Sequence, residues 1–314
     1  MSKELPLHNL AECSIDDIHN IDFTYLDRNS YIFKVKKYLS TSVKNQPNNL
    51  FHPNTLVHCQ TNSDRVLIVV GESWTYGDSL VPFVKASEGK DNLAYRLGNI
   101  FSAHLANYLK SDLVLYSEPG NANFDIWFNI QPLIDYCSNY KEVFLVVQLT
   151  TPGRDMWVDN RNLFEQHRLH QLFTKSNSRI KLENWLKLYD EYYLDWARHI
   201  LNTNSVKKLV IWKNFNRFYT NNFENLDVLD YSFMEYAIQF SGRETDISFN
   251  QHLDFYNFIE NNSNIELNLN ILNSELNKVD SNYAELSHSM LNNFHPNLTG
   301  HWVLASLLRN KLDS

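Results

Sequence analysis

Apolar positions fall into two patterns along this chain: short unbroken runs, and longer stretches where they recur every three or four residues. The sharpest run is Val66-Leu-Ile-Val-Val70, closed at once by Gly71. An apolar run this short, bounded by a turn residue, reads as a strand buried on both faces, the kind found in parallel sheets. Asp112-Leu-Val-Leu-Tyr-Ser117, Val143-Phe-Leu-Val-Val-Gln-Leu149 and Lys208-Leu-Val-Ile-Trp212 repeat it. Between them, Leu93, Leu97, Ile100, Phe101, Leu105, Tyr108 and Leu109 share one face of a helix predicted from Asp91 to Lys110, with Asp91 as its cap. Leu182, Trp185, Leu186, Tyr189, Tyr193, Trp196 and Ile200 mark the clearest amphipathic helix, and a closing helix is predicted over 298–311. Strands separated by helix-length connections mean βαβ units with right-handed crossovers, and therefore a parallel sheet in an α/β protein.

Two regions are harder to read. In residues 1–60, Ile15, Ile18, Ile21 and Phe23 mix with Glu12, Asp16, Asp17 and Asp22, which suggests short amphipathic pieces. Tyr31 to Tyr38 fits either a strand or a helix start, and Asn45-Gln-Pro-Asn-Asn and His52-Pro-Asn are loop signals. Residues 1–60 are therefore expected to be an N-terminal extension packed on a core domain spanning 61–314. In 214–290, helices are predicted over 254–260 and 268–276, with a fifth strand near Ile265-Glu-Leu-Asn-Leu269.

The 314 residues, 43% hydrophobic with seven tryptophans, are ample for one sizeable core. A formal charge of −8 argues against nucleic acid as a partner and does not suggest an anionic membrane surface. No run of eighteen apolar residues occurs, and Met1-Ser-Lys-Glu-Leu-Pro-Leu-His8 lacks the apolar segment of a secretion signal. Cys13, Cys59 and Cys137 are odd in number and unpatterned, as expected of free thiols in a reducing compartment. The expected location is cytoplasmic, or within a virion. Neither a Walker loop nor a Gly-x-Gly-x-x-Gly motif is present. His167/His170 and His52/His58/Cys59 do not complete a metal-ligand set, so neither cofactor nor metal is expected.

The informative chemistry sits just past the first strand. In open α/β sheets, reactions take place beyond the carboxyl ends of the strands. Ser73, two residues after Gly71, stands there as a candidate nucleophile. Thr75 holds the second glycine position of a Gly-x-Ser-x-Gly elbow, so the α/β-hydrolase motif is excluded. Gly71-Glu-Ser73-Trp-Thr75-Tyr-Gly77 instead resembles the first block of the SGNH/GDSL hydrolase family, Gly-Asp-Ser-Phe-Thr-x-Gly, with Glu72 for the aspartate. The literal Gly77-Asp-Ser79-Leu is a decoy, since Ser79 lies eight residues beyond Gly71.

Asn292-Asn-Phe-His295-Pro, followed by Gly300-His301, resembles the family's last block, Asp-x-x-His-Pro. The resemblance makes His295 the general base for Ser73, from 222 positions away. Asn292 stands where the family has the aspartate that orients the imidazole and stabilises its positive charge. A neutral amide orients but does not neutralise; the same change in a serine-protease triad costs ~10⁴-fold in kcat. Three outcomes stay open: a Ser–His dyad helped by a backbone carbonyl, an acid from elsewhere (Asp227, Asp230, Asp246 or Asp280), or a weak or inactive enzyme.

For the oxyanion, the resemblance implies three donors: the nucleophile's own N–H, a glycine after the second strand, matched by Gly120, and an asparagine. Asn123 resembles the asparagine of a Gly-x-Ser-Asn variant. The family's Gly-x-Asn-Asp block is replaced by Thr150-Thr-Pro-Gly-Arg154, similar to a Thr-x-x-x-Arg form of phage and capsule-locus members, so Thr151, Arg154 and Asn123 are alternative candidates for this donor. The aromatics of Asp190-Glu-Tyr-Tyr-Leu-Asp-Trp196 read as core. As a whole the resemblance implies a three-layer α/β/α sandwich with a flavodoxin-like parallel sheet, the SGNH hydrolase fold. The implied activity is ester hydrolysis through an acyl-enzyme, on a small-molecule or polysaccharide ester and most of all on a carbohydrate O-acetyl group. Acyl transfer to a sugar would use the same residues. The alternative is an SGNH-fold binding or structural module, such as a virion or surface-assembly component.

Overall fold

The structure, a computed structural model, describes residues 23–26, 32–38, 56–61, 63–80, 99–117, 119–150, 156–158, 166–168, 179–214, 226–242, 266–276, 290–292 and 295–314. The strands are β1 (Phe23–Leu26), β2 (Ile32–Tyr38), β3 (Leu56–Gln60), β4 (Arg65–Gly71), β5 (Asp112–Ser117), β6 (Glu142–Leu149), β7 (Met156–Val158), β8 (Gln166–Arg168), β9 (Val206–Lys213), β10 (Asp227–Val228), β11 (Leu291–Asn292) and β12 (His295–Pro296). The helices are α1 (Ser73–Tyr76), α2 (Phe101–Leu109), α3 (Asn123–Phe128), α4 (Ile130–Tyr136), α5 (Arg179–Thr203), α6 (Phe233–Phe240), α7 (Leu269–Leu276) and α8 (Leu298–Asp313), with a 3₁₀ turn at Asp78–Leu80.

Eight strands form one sheet in the order β1-β2-β3-β5-β4-β6-β9-β10. From β5 to β10 every pairing is parallel. Numbered among themselves along the chain, these five strands stand in the order 2-1-3-4-5, that of flavodoxin-like sheets. The flavodoxin-like parallel core is therefore as expected. The sheet as a whole is mixed, because β1, β2 and β3 continue it with antiparallel pairings beyond β5. Tyr31 to Tyr38, readable either way from sequence, is a strand over Ile32–Tyr38.

Side chains alternate across a strand, so a strand buried on both faces feeds two cores. In β4, Leu67 and Val69 join one core with Phe101 and Leu105 of α2, Phe233 and Phe240 of α6, Leu272 of α7, and Val303 and Leu308 of α8. Val66, Ile68 and Val70 face the other, with Ile126 and Trp127 of α3, Leu133 of α4, and Tyr193 and Ala197 of α5. The outcome is the expected three-layer α/β/α sandwich.

Strands 143–149 and 208–212 are found as β6 and β9, and helix 182–200 extends at both ends as α5. The predicted helix start at Asp91 and the helix at 254–260 lie outside the described residues. One expectation is corrected. The fifth parallel strand is not at 265–269, where α7 begins, but at Asp227–Val228, paired with Val210 and Ile211. Two residues at the sheet margin satisfy the pairing, and a strand that short leaves no periodicity to read.

Candidate active site

Side chains from the carboxyl ends of β4, β6 and β9 and from the hairpin that precedes α8 form one connected group: Glu72, Ser73, Gln148, Asn214 and His295. β4 ends in Gly71 because nothing larger fits: a Cβ at this position would stand 2.0 Å from Thr75 Oγ1 and 2.6 Å from Gln148 Oε1. The chain then turns into α1, closed by Gly77 in the left-handed region at φ 83°. This sharp turn puts Ser73 directly above the strand, 4% exposed.

His295 arrives from the other end of the chain. β11 and β12 form a tight antiparallel hairpin with Asn292 paired to His295 and Leu291 to Pro296. Asn297 caps α8, its Oδ1 accepting from Gly300 N–H at 3.0 Å, and its own N–H donates to Met290 O at 2.9 Å. Gly300 is another enforced glycine, since a Cβ there would lie 2.2 Å from Met290 O. So held, His295 Nε2 lies 2.9 Å from Ser73 Oγ. Trp74, buried, lies beside the imidazole, with ring centroids 6.3 Å apart. Asp78 Oδ2 lies 3.8 Å from the same Nε2. His301 is not part of this pair: it stacks on Phe101, its Nδ1 accepts from Phe101 N–H, and burial lowers its pKa to about 3.

Beneath Ser73 lies a buried polar network around Glu72, itself fully buried. Glu72 Oε2 accepts from Ser73 N–H at 2.8 Å and from Ser73 Oγ–H at 2.5 Å. Glu72 Oε1 accepts from Gln148 Nε2 at 2.7 Å, and from Trp74 N–H and Asn214 Nδ2, each at 3.4 Å. Gln148 Oε1 in turn accepts from Thr75 Oγ1 at 2.6 Å and from Glu72 N–H at 3.2 Å. A buried carboxylate is tolerated only when its oxygens are hydrogen-bonded, and here both oxygens are.

The other sequence candidates are placed as follows. Gly120 follows β5 at φ 91°, a left-handed conformation that favours glycine, and is exposed. Its neighbour Asn121 ties this turn to the end of β4, Nδ2 donating to Gly71 O at 3.4 Å. Asn123 is fully buried and clasps the end of β6: Oδ1 accepts from Thr150 N–H at 2.7 Å, and Nδ2 donates to Thr150 O at 3.0 Å. Ser73 N–H, implied by resemblance as an oxyanion donor, is here turned to Glu72. Arg154 and Thr151 lie outside the described residues, as do Asp246 and Asp280. Asp227 pairs with Lys208 at 2.8 Å and Asp230 with Lys311 at 3.2 Å. The network members Gln148 and Asn214 and the flanking Asp78 were missed from sequence. Gln148 had a signal, as the one polar residue among the seven of 143–149; Asp78 lay inside the decoy.

No family model matches the chain, and no curated protein does. Among solved structures, it overlaps the acetylxylan esterase Axe2 from Geobacillus stearothermophilus at 14% identity, covering 80% of this chain and 94% of that one, with a TM-score of 0.34. It overlaps LAE5, an alpha/beta hydrolase enzyme from the metagenome of Lake Arreo, at 16% identity over 79% and 94%, with a TM-score of 0.32. A Desulfitobacterium hafniense protein of the G-D-S-L family, described as lipolytic, matches at 10% identity over 55% and 79%, with a TM-score of 0.29. Among the described residues no helix is long and apolar enough to cross a membrane, and no group of three or more His, Cys, Asp or Glu is placed to hold a metal ion.

Proposed function

We propose that this chain is a serine esterase acting through an acyl-enzyme, with Ser73 as nucleophile and His295 as base and then acid. The observation that carries this reading is the 2.9 Å separation of Ser73 Oγ and His295 Nε2 between residues 222 positions apart. A nucleophile and a base within hydrogen-bond reach are the signature of covalent acyl transfer. In the first half, the Oγ–H bond breaks and its proton passes to Nε2 as Oγ bonds the acyl carbon. The carbonyl electron pair moves onto oxygen, then returns as the ester C–O bond breaks and Nε2 protonates the leaving alkoxide. Water repeats the sequence to release the acid. Gly120 on the turn after β5, Asn123 at the start of α3, and Arg154 are the proposed oxyanion donors, with Asn292 holding the hairpin partner position of His295.

The substrate we favour is a carbohydrate O-acetyl ester. The Thr150-to-Arg154 segment supports it, as does the stacked pair Phe124 and Phe128 on α3, 5.7 Å between centroids and about half exposed. Phe124 follows Asn123 directly in the chain, and this exposed apolar face is of a size to stack on a sugar ring. All these residues belong to the proposed core domain, 61–314, with 1–60 as its extension.

A fluorophosphonate probe tests the nucleophile: the purified chain is labelled at Ser73, Ser73→Ala is not, and His295→Ala lowers acetyl-ester turnover at least about a thousandfold. Acetylated oligosaccharides should be turned over in preference to long-chain lipid esters. Neither labelling nor turnover would leave the chain as a binding or structural module.

A further inference from the structure

We propose that Glu72 supplies the negative charge of this catalytic site, from the nucleophile's side of the imidazole, in place of the aspartate that Asn292 replaces. The inference rests on the serine-esterase reading and concerns how its proton transfer is made favourable. Ser73 Oγ has two partners, Glu72 Oε2 at 2.5 Å and His295 Nε2 at 2.9 Å. Its single proton points to the carboxylate or to the imidazole. When it passes to Nε2 as Oγ attacks, the new imidazolium faces the Glu72 carboxyl group across one oxygen atom. In this step Glu72 acts through its hydrogen bond to Ser73 Oγ and forms no bond to the substrate. It touches a reacting atom all the same, and is in that sense catalytic.

The extra methylene of Glu72 is what allows this. The residue before the nucleophile caps α1 through Ser73 N–H, and the longer arm lets the same Oε2 take Ser73 Oγ as well. The cost is the nucleophile's own N–H, drawn away from the oxyanion position.

Among the described residues, the groups facing His295 include Ser73 of α1, Asp78 of the 3₁₀ turn, and, at longer range, His301 of α8. Asp78 is the rival source of charge, at 3.8 Å from Nε2. Its side chain is 35% exposed, whereas Glu72 is fully buried. Water and salt screen an exposed charge far more than a buried one, so the buried carboxylate has the larger effect.

The test is the pH profile of fluorophosphonate labelling in wild type, E72Q, E72D and D78N. Labelling needs neutral His295, so the rate falls on the acid side. A carboxylate near the ring holds that limb at higher pH, and its removal moves the limb down. E72Q should lower the plateau rate at least about a hundredfold and shift the acid limb down by about one unit or more. D78N should shift it less. E72D keeps the charge but withdraws it from Oγ, so its plateau should fall about tenfold with a smaller shift of the limb; this arm still decides the matter if E72Q does not fold. An E72Q or E72D profile superimposable on wild type, or a D78N shift exceeding that of E72Q, would overturn the proposal. Absence of labelling in wild type itself would instead remove the serine-esterase reading, and this inference with it.

Discussion

At the scale of single residues, the site is a problem of close approach. Gly71 lets the end of β4 lie against Thr75 and Gln148, and those two with Glu72 set the height of Ser73 above the strand. Gly71→Ala should push Thr75 and Gln148 apart, destabilise the fold by about 1–3 kcal/mol and lower labelling of Ser73 at least tenfold. Denaturant melts beside labelling rates would separate the two effects. The glycine and the serine were both legible, because a turn residue ending an apolar run is a local signal. That Glu72 reaches back to its neighbour's hydroxyl was not legible: it depends on the rotamer chosen when Gln148 and Asn214 close in from other strands.

At the scale of elements, what matters is how each helix is fixed to the sheet edge that carries the site. α5 is joined to the end of β9 by a buried ion pair, Lys213 Nζ to Asp190 Oδ1 at 2.5 Å, one residue before Asn214 of the Glu72 network. Burial disfavours the Lys213 charge, while Asp190 and then Glu235 support it. Removing one partner strands the other in a dry interior, so Lys213→Met should cost about 3–5 kcal/mol. The double variant Lys213→Met/Asp190→Leu should lose less than Lys213→Met alone, and equilibrium unfolding of both measures the difference. The helical period of α5 was plain in Leu182 to Ile200. Its charged anchor was not, since a single Asp on a helix and a single Lys ending a strand carry no sign that they meet.

At the scale of the whole molecule, two buried histidines among the described residues, His58 and His301, take no part in the proposed proton transfer. His58 on β3 sits between Tyr136 OH, 2.8 Å from Nδ1, and Tyr140 OH, 2.9 Å from Nε2. Tyr140 OH donates to Asp112 Oδ2 at 2.6 Å. Burial outweighs the nearby Asp112 charge and lowers the His58 pKa to about 4, and burial lowers that of His301 to about 3. Below pH ~6.5 the unfolded chain takes up protons that the native one refuses, so stability is present above that pH and is lost on acidification toward 4 and 3. Between pH 7 and 4.5 each histidine should cost about 2–3 kcal/mol. Chemical denaturation at the two pH values, in wild type and His58→Gln, should show a shallower loss in the variant.

The sequence by itself determined the elements and their class, because burial on both faces forces continuous apolar strands and one-sided burial forces a helical stripe. From Val66 to Trp212 those patterns depend only on near neighbours in the chain, and so does the Gly71-to-Gly77 turn. Tertiary structure alone decided that β1–β3 join the sheet antiparallel, that two residues at 227–228 make its parallel margin, and that Ser73 lies within reach of His295. It also decided that Glu72 is partner to the Ser73 hydroxyl. Each of these depends on groups brought together from distant parts of the chain, and no local pattern encodes a meeting of that kind.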